Sequence, residues 1–395
     1  MDFAFTAEQQ AWRKEVRDWL RQELPADWQG SNVLEEGDDA TEWQSMLDFR
    51  RRAARKGWIA VGWPKEYGGQ GRNVIDQAIF GEETTYSGAP GMNSNIGVLF
   101  AGPVIQVYGT PEQKREHLPR ITSGEAVWCQ GFSEPGAGSD LASLQTRAVE
   151  DGDDYLVNGS KIWTSFAHRA DWCILGTRTD PAAPKHKGIT FFLLDMKTPG
   201  ITIRPLLNMA NAHSFNQVFF DNVRIPKRNV LGEVNRGWYV MATTLDFERS
   251  GIAGSAGARR GLERLIGYAK GVKFNGRTLG SDPRIAARLA EFQIEINVAR
   301  MLSYRVAWMQ SKGLIPNAEA SESKLFASEM GQRMANFGTQ LMGLYSQLDK
   351  GSQRAVYEGS VGRGYMLSVP GTIAGGSSEI QRNIIASRGL GLPRG

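Results

Sequence analysis

Apolar residues recur at helical spacing in the first third of the chain, crowd into short runs in the middle, and return to helical spacing afterwards. Thr6, with Gln9 three residues on, reads as the cap of a helix whose stripe is Trp12, Val16, Trp19 and Leu20, ended by Pro25. A Gly- and Asp-rich loop over 30–40 precedes a helix predicted over 41–56 and the turn Gly62-Trp-Pro-Lys-Glu-Tyr-Gly-Gly-Gln-Gly. Further helices are predicted over 74–86 and 91–108. From Gly124 to about Asn235, runs such as Lys161-Ile-Trp-Thr-Ser, Trp172-Cys-Ile-Leu-Gly and Gly188-Ile-Thr-Phe-Phe-Leu-Leu alternate with turn residues, which predicts a small β-barrel or sandwich. Three long helices, 237–273, 282–312 and 317–348, then read as an up-and-down bundle, about 45–55 Å long. The expected class is α+β multidomain, with a helical unit over 1–123, a β unit over 124–235 and a helical bundle over 236–395.

Within the proline-free stretch 237–273, Met241, Leu245, Ile252 and Ala256 fall on one face, and Glu248 lies on the same stripe. A carboxylate there must be paired, partly wet, or raised in pKa, and the last state suits a general base near neutral pH. Gly251, Gly254, Gly257 and Gly261 each weaken a helix by about 1 kcal/mol, so packing must support this one. From the pattern alone, a salt-bridged glutamate and a catalytic one both stand.

At 395 residues the chain is long enough for several packed units, and its 41% apolar and 22% charged content is that of an ordinary globular protein. The net charge of +4 is spread among acids with no basic run, which argues against nucleic acid. Cys129 and Cys173 have no paired-ligand spacing and read as buried thiols of a reducing compartment. His117, His168, His186 and His213 lie too far apart in sequence for a metal motif, so no metal is expected. The first residues fit neither a secretory signal nor a transit peptide, and no apolar run approaches membrane length; the expected location is soluble and cytoplasmic.

Two glycine-rich loops stand out. Gln130-Gly-Phe-Ser-Glu-Pro-Gly-Ala-Gly-Ser-Asp140 offers backbone N–H groups to a flat heteroaromatic or a phosphate, a plain surface turn being the alternative. It is neither a triphosphate loop nor a Rossmann fingerprint. Thr372-Ile-Ala-Gly-Gly-Ser-Ser-Glu-Ile-Gln-Arg382 reads as a loop entering a helix with Ser377 or Ser378 as cap. Taken with Asn158-Gly-Ser-Lys-Ile-Trp-Thr-Ser165, Asp221-Asn-Val-Arg-Ile-Pro226 and Asn229-Val-Leu-Gly232, these motifs resemble the acyl-CoA dehydrogenase family, in the family's order and spacing over the whole chain. The Gly62 turn resembles its N-terminal signature.

The resemblance implies a helical N-domain, a central β-domain, a C-terminal four-helix bundle, and FAD between β-domain and bundle. It implies removal of the α-proton of an acyl-CoA thioester while the β-hydride passes to flavin N5, giving a trans-2-enoyl-CoA, with electrons passed to an electron-transfer flavoprotein. The family's flavin contacts map onto Phe132, Ser133, Trp163, Thr164 and Ser165, and its ribityl-pyrophosphate contacts onto Ser377 and Glu379. Ser139 matches a position touching the acyl-CoA. The carboxylate that much of the family carries before Ser/Thr-x-x-Ile-Gln-Arg is Gly375 here, whose N–H the family uses as an oxyanion donor. Leu245-Asp-Phe-Glu-Arg249 matches the branch that carries the base on the long helix, which makes Glu248 the base. Arg249 beside it is a substrate-side candidate, with an ion pair to Asp246 as the plainer reading. Tyr357-Glu-Gly359 falls too early and is expected on a solvated helix face.

The pattern is broken at the family's Arg-x-x-Phe-Gly, where Val272 and Asn275 stand, and at its Gln-x-x-Gly-Gly-x-Gly, which reads Gln340-Leu-Met-Gly-Leu-Tyr-Ser346. Both reach a neighbouring subunit's FAD in the family, so either Arg277 replaces the charge or a related partner does. A homotetramer or an α2β2 heterotetramer is expected, with no nucleic acid and no membrane. Two other readings remain: a flavin oxidase or monooxygenase of the same fold, and a silent subunit that completes a partner's site.

Overall fold

The structure is a computed structural model describing residues 4–28, 30, 39–249 and 254–393, and only the backbone of residues 246–249. In chain order come helices α1 (Ala7–Glu23), α2 (Ala40–Arg55), α3 (Val74–Ser87), α4 (Gly102–Tyr108) and α5 (Pro111–Thr122). Strands β1 (Trp128–Gly131), β2 (Arg147–Asp151), β3 (Asp154–Lys161), β4 (Trp172–Arg178), β5 (Ile189–Asp195), β6 (Ile201–Leu206) and β7 (Phe215–Pro226) follow. Then come α6 (Gly237–Arg249), α7 (Gly254–Gly271), the hairpin β8 (Lys273–Phe274) and β9 (Arg277–Thr278), α8 (Pro283–Ser311), α9 (Asn317–Met342), α10 (Ser360–Ser368) and α11 (Ser378–Ile384). These elements form two compact units, one of residues 30–72 and 90–248, the other of 1–29, 73–89 and 249–395.

The first unit is built on a seven-stranded sheet in the order β1-β4-β2-β3-β7-β6, with β5 paired to β4. β5 reads as a nearly continuous apolar run, interrupted only by Thr190 before Asp195 ends it, because both its faces are covered. Phe191 and Leu193 pack with Ile174, Phe132, Leu144 and Met241, while Phe192 and Leu194 pack with Cys129, Cys173, Leu175 and Val218. The two thiols are buried register partners on β1 and β4, as their apolar settings predict. Helix α6 lies close on this sheet. A Cβ at Gly237 would stand 2.7 Å from Phe191 N, so glycine is required there, and one at Gly176 would stand 2.8 Å from Met241 Sδ, so that methionine would have to shift.

In the second unit α7, α8 and α9 bury Leu262, Leu265, Phe292, Ile296, Met330 and Met334 against one another. The capping box expected at Thr6 and Gln9 forms and starts α1. Glu82 on α3 is 5% exposed and accepts from Arg300 Nε at 2.6 Å, Tyr304 Oη at 2.7 Å and Arg13 Nη2 at 2.8 Å. Burial pushes its pKa up, but the hydrogen bonds of Arg300, Arg13 and Tyr304 outweigh that and hold it below the ordinary carboxylate value.

Several boundaries differ from expectation. The helix expected over 91–108 begins only after a loop, because Gly91 is left-handed (φ 67°) with its carbonyl taken by Arg50, and Gly97–Ala101 winds as a π-turn. Of the single helix expected over 237–273, Gly237–Arg249 and Gly254–Gly271 are helical and residues 250–253 lie outside the described residues; past Gly271 the chain turns into a hairpin. The helix expected to reach 348 stops at Met342, where Gly343 adopts φ 58°. Tyr357 and Glu358 are not on a helix face. Both are left-handed (φ 50° and 55°) in a tight turn, pinned by Tyr357 Oη donating to Arg264 O at 2.8 Å.

Removing the Glu82 charge should be severe, since Arg13, Arg300 and Tyr304 all donate to its two oxygens and a carboxamide keeps only one of them as an acceptor. Glu82→Gln is expected to lower unfolding free energy by about 3–5 kcal/mol in denaturant titrations. Because the folded pKa is depressed, the wild-type advantage holds above the ordinary carboxylate value and fades as pH falls through and below it. A variant as stable as wild type at neutral pH would contradict the assignment.

Candidate active site

The loop after β1 is shaped from within. Glu134 and Ala137 exchange backbone hydrogen bonds at 2.9 and 3.0 Å, folding Glu134-Pro-Gly-Ala into a tight reversal. The Glu134 carboxylate turns inward and accepts from Gln145 N at 2.6 Å, Thr146 N at 2.8 Å and Lys161 Nζ at 2.7 Å. Lys161 is fully buried (0% exposed) and also donates to Phe132 O at 3.0 Å. Burial lowers the Lys161 pKa against the pull of Glu134, and raises that of Glu134 against the pull of Lys161; at Glu134 the attraction wins and its pKa is lowered. With three donors converging on the carboxylate, the ionised pair is the state the geometry selects. Arg178 holds the far end of the loop, donating to Ala142 O at 2.5 Å and Leu144 O at 3.4 Å.

The chain leaves β3 into Ile162-Trp163-Thr164-Ser165-Phe166, and Ile162 N donates to Ser133 O at 2.9 Å, joining this segment to the first loop. Trp163 and Phe166 are both left-handed, at φ 59° and 57°. Bulky residues avoid that region, at a cost of about 1–3 kcal/mol each, and such strain gathers at functional sites. Trp163 is 59% exposed and touches Phe215 edge-on, with ring centroids 6.1 Å apart. Beneath it Thr164 N donates to Asn216 O at 3.0 Å and Phe166 N to Ser214 O at 3.1 Å. The hydroxyls of Thr164 and Ser214 are buried with no partner among the described residues.

In the other unit Gly375 and Gly376 are left-handed, at φ 66° and 86°. Gln381 Nε2 donates to both their carbonyls, at 2.9 and 3.0 Å, and Lys324 Nζ to that of Gly376 at 2.8 Å. Among the described residues the Gly375 N–H has no partner. Ser377, not Ser378, caps α11, accepting from Ile380 N. Ser378 Oγ and Gln381 Oε1 are buried with no partner among the described residues. Glu379 is exposed, its carboxyl held low by its own backbone N–H and the Ser377 hydroxyl.

The structure thus joins Phe132 and Ser133 to Trp163, Thr164 and Ser165 in one unit, and clusters Gly375, Ser377 and Glu379 in the other. Ser139 is exposed on the first loop, one residue before Asp140, which pairs with Lys185 at 2.9 Å. Gln340 is exposed near the end of α9. The backbones of Glu248 and Arg249 are helical, while their side chains and the Asp246 pairing lie outside the described residues. At the departures from the family pattern, Asn275 (φ 50°) and Gly276 (φ 79°) form the two-residue turn between β8 and β9. Asn-Gly is the pair that such a turn favours, so Asn275 has a local structural reason.

Sequence reasoning missed Glu134, Lys161, Arg178 and Asn216. Lys161 was detectable, because it shares the buried alternation of Tyr155 and Val157 on β3. The left-handed Trp163 had no sequence signal. An exposed aromatic on a strained backbone, with two buried hydroxyls in the same segment pairing that have no partner among the described residues, fits a flat polar heteroaromatic such as a flavin.

Family models for the acyl-CoA dehydrogenase N-terminal, middle and C-terminal domains match residues 6–125, 129–223 and 235–390. The chain is 35% identical over 386 residues to acyl-CoA dehydrogenase IpdE1 of Mycobacterium tuberculosis, covering 97% of each protein. Among solved structures, it matches the Tcur3481-Tcur3483 steroid ACAD with a TM-score of 0.90 at 32% identity, covering 100% of both chains. It matches the ChsE4-ChsE5 complex from Mycobacterium tuberculosis with a TM-score of 0.87 at 34% identity, again over 100% of both chains. No described helix is long and apolar enough to cross a membrane. With all three domains matched in order and this likeness along its length, the chain belongs to the acyl-CoA dehydrogenase family of flavoprotein oxidoreductases.

Proposed function

We propose that the chain is an FAD-dependent acyl-CoA dehydrogenase that desaturates the Cα–Cβ bond of an acyl-CoA thioester to the trans-2-enoyl-CoA. The observation that carries this reading is the strained Trp163 turn with the adjacent buried Thr164 hydroxyl, which has no partner among the described residues, at the positions where the resemblance puts a flavin. When bound, FAD supplies the two-electron acceptor for the β-hydrogen, with Phe132, Ser133, Trp163, Thr164, Ser165, Gln340, Ser377 and Glu379 the residues assigned to hold it.

Glu248 is assigned as the general base. It follows Met241 and Thr244 on α6 at spacings of seven and four, and its setting in Leu245-Asp-Phe-Glu-Arg249 supports the role. Its carboxylate takes the α-proton, a transfer whose cost falls as the thioester oxygen is stabilised. The Gly375 N–H is assigned to that oxygen; this N–H, of a left-handed glycine, has no partner among the described residues. Ser139 is assigned to the substrate, and Arg249 to the substrate side or to Asp246.

A glycine at 375 removes side-chain volume, which supports a bulky acyl group. The steroid dehydrogenase among the similar structures supports a ring-bearing acyl-CoA as the substrate class. Likeness to a two-component complex, together with Val272 and Asn275, supports an α2β2 assembly in which a related subunit completes the FAD contacts. An electron-transfer flavoprotein is the proposed acceptor, and the cytoplasm the proposed location.

Three outcomes are expected. Glu248→Gln should slow anaerobic flavin bleaching by acyl-CoA about 10²–10⁴-fold with binding little changed; bleaching at the wild-type rate would exclude Glu248 as base. Lys161→Met leaves Glu134 buried without its cation, so unfolding free energy should fall by about 3–5 kcal/mol and FAD affinity with it; an unchanged melting temperature would contradict the anchoring role. The chain purified alone should retain less than one FAD per protomer after long dialysis and regain it on coexpression with its partner. A fully loaded homotetramer would contradict partner completion.

A further inference from the structure

We propose that Asn216 is a positioning residue whose side-chain amide holds the Trp163–Ser165 turn in the conformation that presents the indole. The inference rests on the flavin reading of that turn given above. Asn216 is on β7, is 0% exposed, and meets Thr164 through its backbone in both directions, at 3.0 and 3.1 Å. Its side chain adds a third tie: Nδ2 donates to Thr164 O at 3.0 Å, so that one carbonyl receives both the main-chain and the side-chain N–H of a single residue.

The same amide meets two stacked imidazoles. Nδ2 lies 3.1 Å from His168 Nδ1, and Oδ1 lies 2.8 Å from His213 Nε2; the two rings are 4.1 Å apart at 22°. Hydrogen-bond chemistry settles the orientation. Thr164 O carries no proton, so the atom facing it must be the amide NH₂. That NH₂ can reach His168 Nδ1 only as an acceptor, and Oδ1 must then receive the His213 Nε2 proton. Each of the three polar contacts uses one end of the amide dipole, whereas an isosteric carboxylate could accept from either imidazole but would have no proton for Thr164 O.

The placement explains why a buried asparagine stands there. Thr164 lies between the left-handed residues Trp163 and Phe166, and relaxation of either rotates the peptide planes around its carbonyl. The indole is 59% exposed, with an edge contact to Phe215 as its one ring contact among the described residues, and the direction in which its side chain leaves the chain is set by the backbone. Holding the Thr164 carbonyl therefore holds the platform. Backbone pairing with β7 alone would be served by most residues at 216, whereas the second hydrogen bond to Thr164 O needs a side-chain donor, which the amide supplies while its oxygen meets His213.

The test compares the full-length chain with Asn216→Asp, Trp163→Ala and the double variant. In cofactor-free protein, Asn216→Asp is expected to speed hydrogen exchange at the Thr164 and Phe166 amides about tenfold or more. By quenching of FAD fluorescence, the same change should weaken FAD binding about tenfold in the wild-type background and add little in the Trp163→Ala background. Unchanged exchange, or losses that add fully in the double variant, would overturn the proposal, since a general structural role does not pass through the indole. Should Asn216→Asp fail to fold, His168→Phe keeps a ring in the stack and withdraws the acceptor; it should show the same pattern at smaller amplitude, and unchanged exchange in it would overturn the proposal. Faster exchange in a chain that binds no FAD as wild type, even when coexpressed with its partner, would sink the flavin reading and leave the amide clamp standing.

Discussion

Everything in the β unit that faces the proposed chemistry depends on one buried carboxylate. Glu134 gathers the N–H groups of Gln145 and Thr146 and the ammonium of Lys161, and no neutral side chain could accept all three. Lys161 passes the constraint on by fixing Phe132 O, and Ile162 N, one residue later, fixes Ser133 O. The first glycine-rich loop and the Trp163 turn are thus parts of one hydrogen-bonded assembly. Such a pair is costly to bury, and its value here lies in specifying two loop conformations at once.

Strain follows from that arrangement. A left-handed tryptophan is tolerated because its neighbours are over-determined, by Ser133 on one side and by Ser214 and Asn216 on the other. The glycine-rich loop of the bundle unit works differently. Gly375 and Gly376 carry the positive φ angles without strain, and Gln381 and Lys324 collect their carbonyls. One loop presents a side chain and the other a backbone N–H.

Much of the fold was legible because period and capping are local. Thr6 with Gln9, Asp282 ahead of Pro283, and the apolar run of β5 announced their elements. What was illegible depends on contacts distant in sequence. The helix expected from Gly91 yields to Arg50 capturing its carbonyl, and the chain past Gly271 turns because Asn275-Gly276 suits a hairpin better than a helix. At the candidate site the motifs located the loops, yet nothing local revealed that Lys161 and Asn216 hold them. Their partners lie 27 and 52 residues away. The departures Val272 and Asn275 read as losses along the sequence; in the fold Asn275 has become a turn residue.

The central claim is that this assembly exists to present a flat heteroaromatic to the Trp163 platform. A crystal structure of the chain with FAD and a non-reducible acyl-CoA analogue tests it most directly. It should show the isoalloxazine against Trp163 with the indole still at positive φ, the Thr164 hydroxyl bonded to the ring, and the Glu248 carboxylate about 3–3.5 Å from the thioester α-carbon. A ring bound elsewhere, or a Trp163 relaxed to negative φ when the ring is in place, would contradict it.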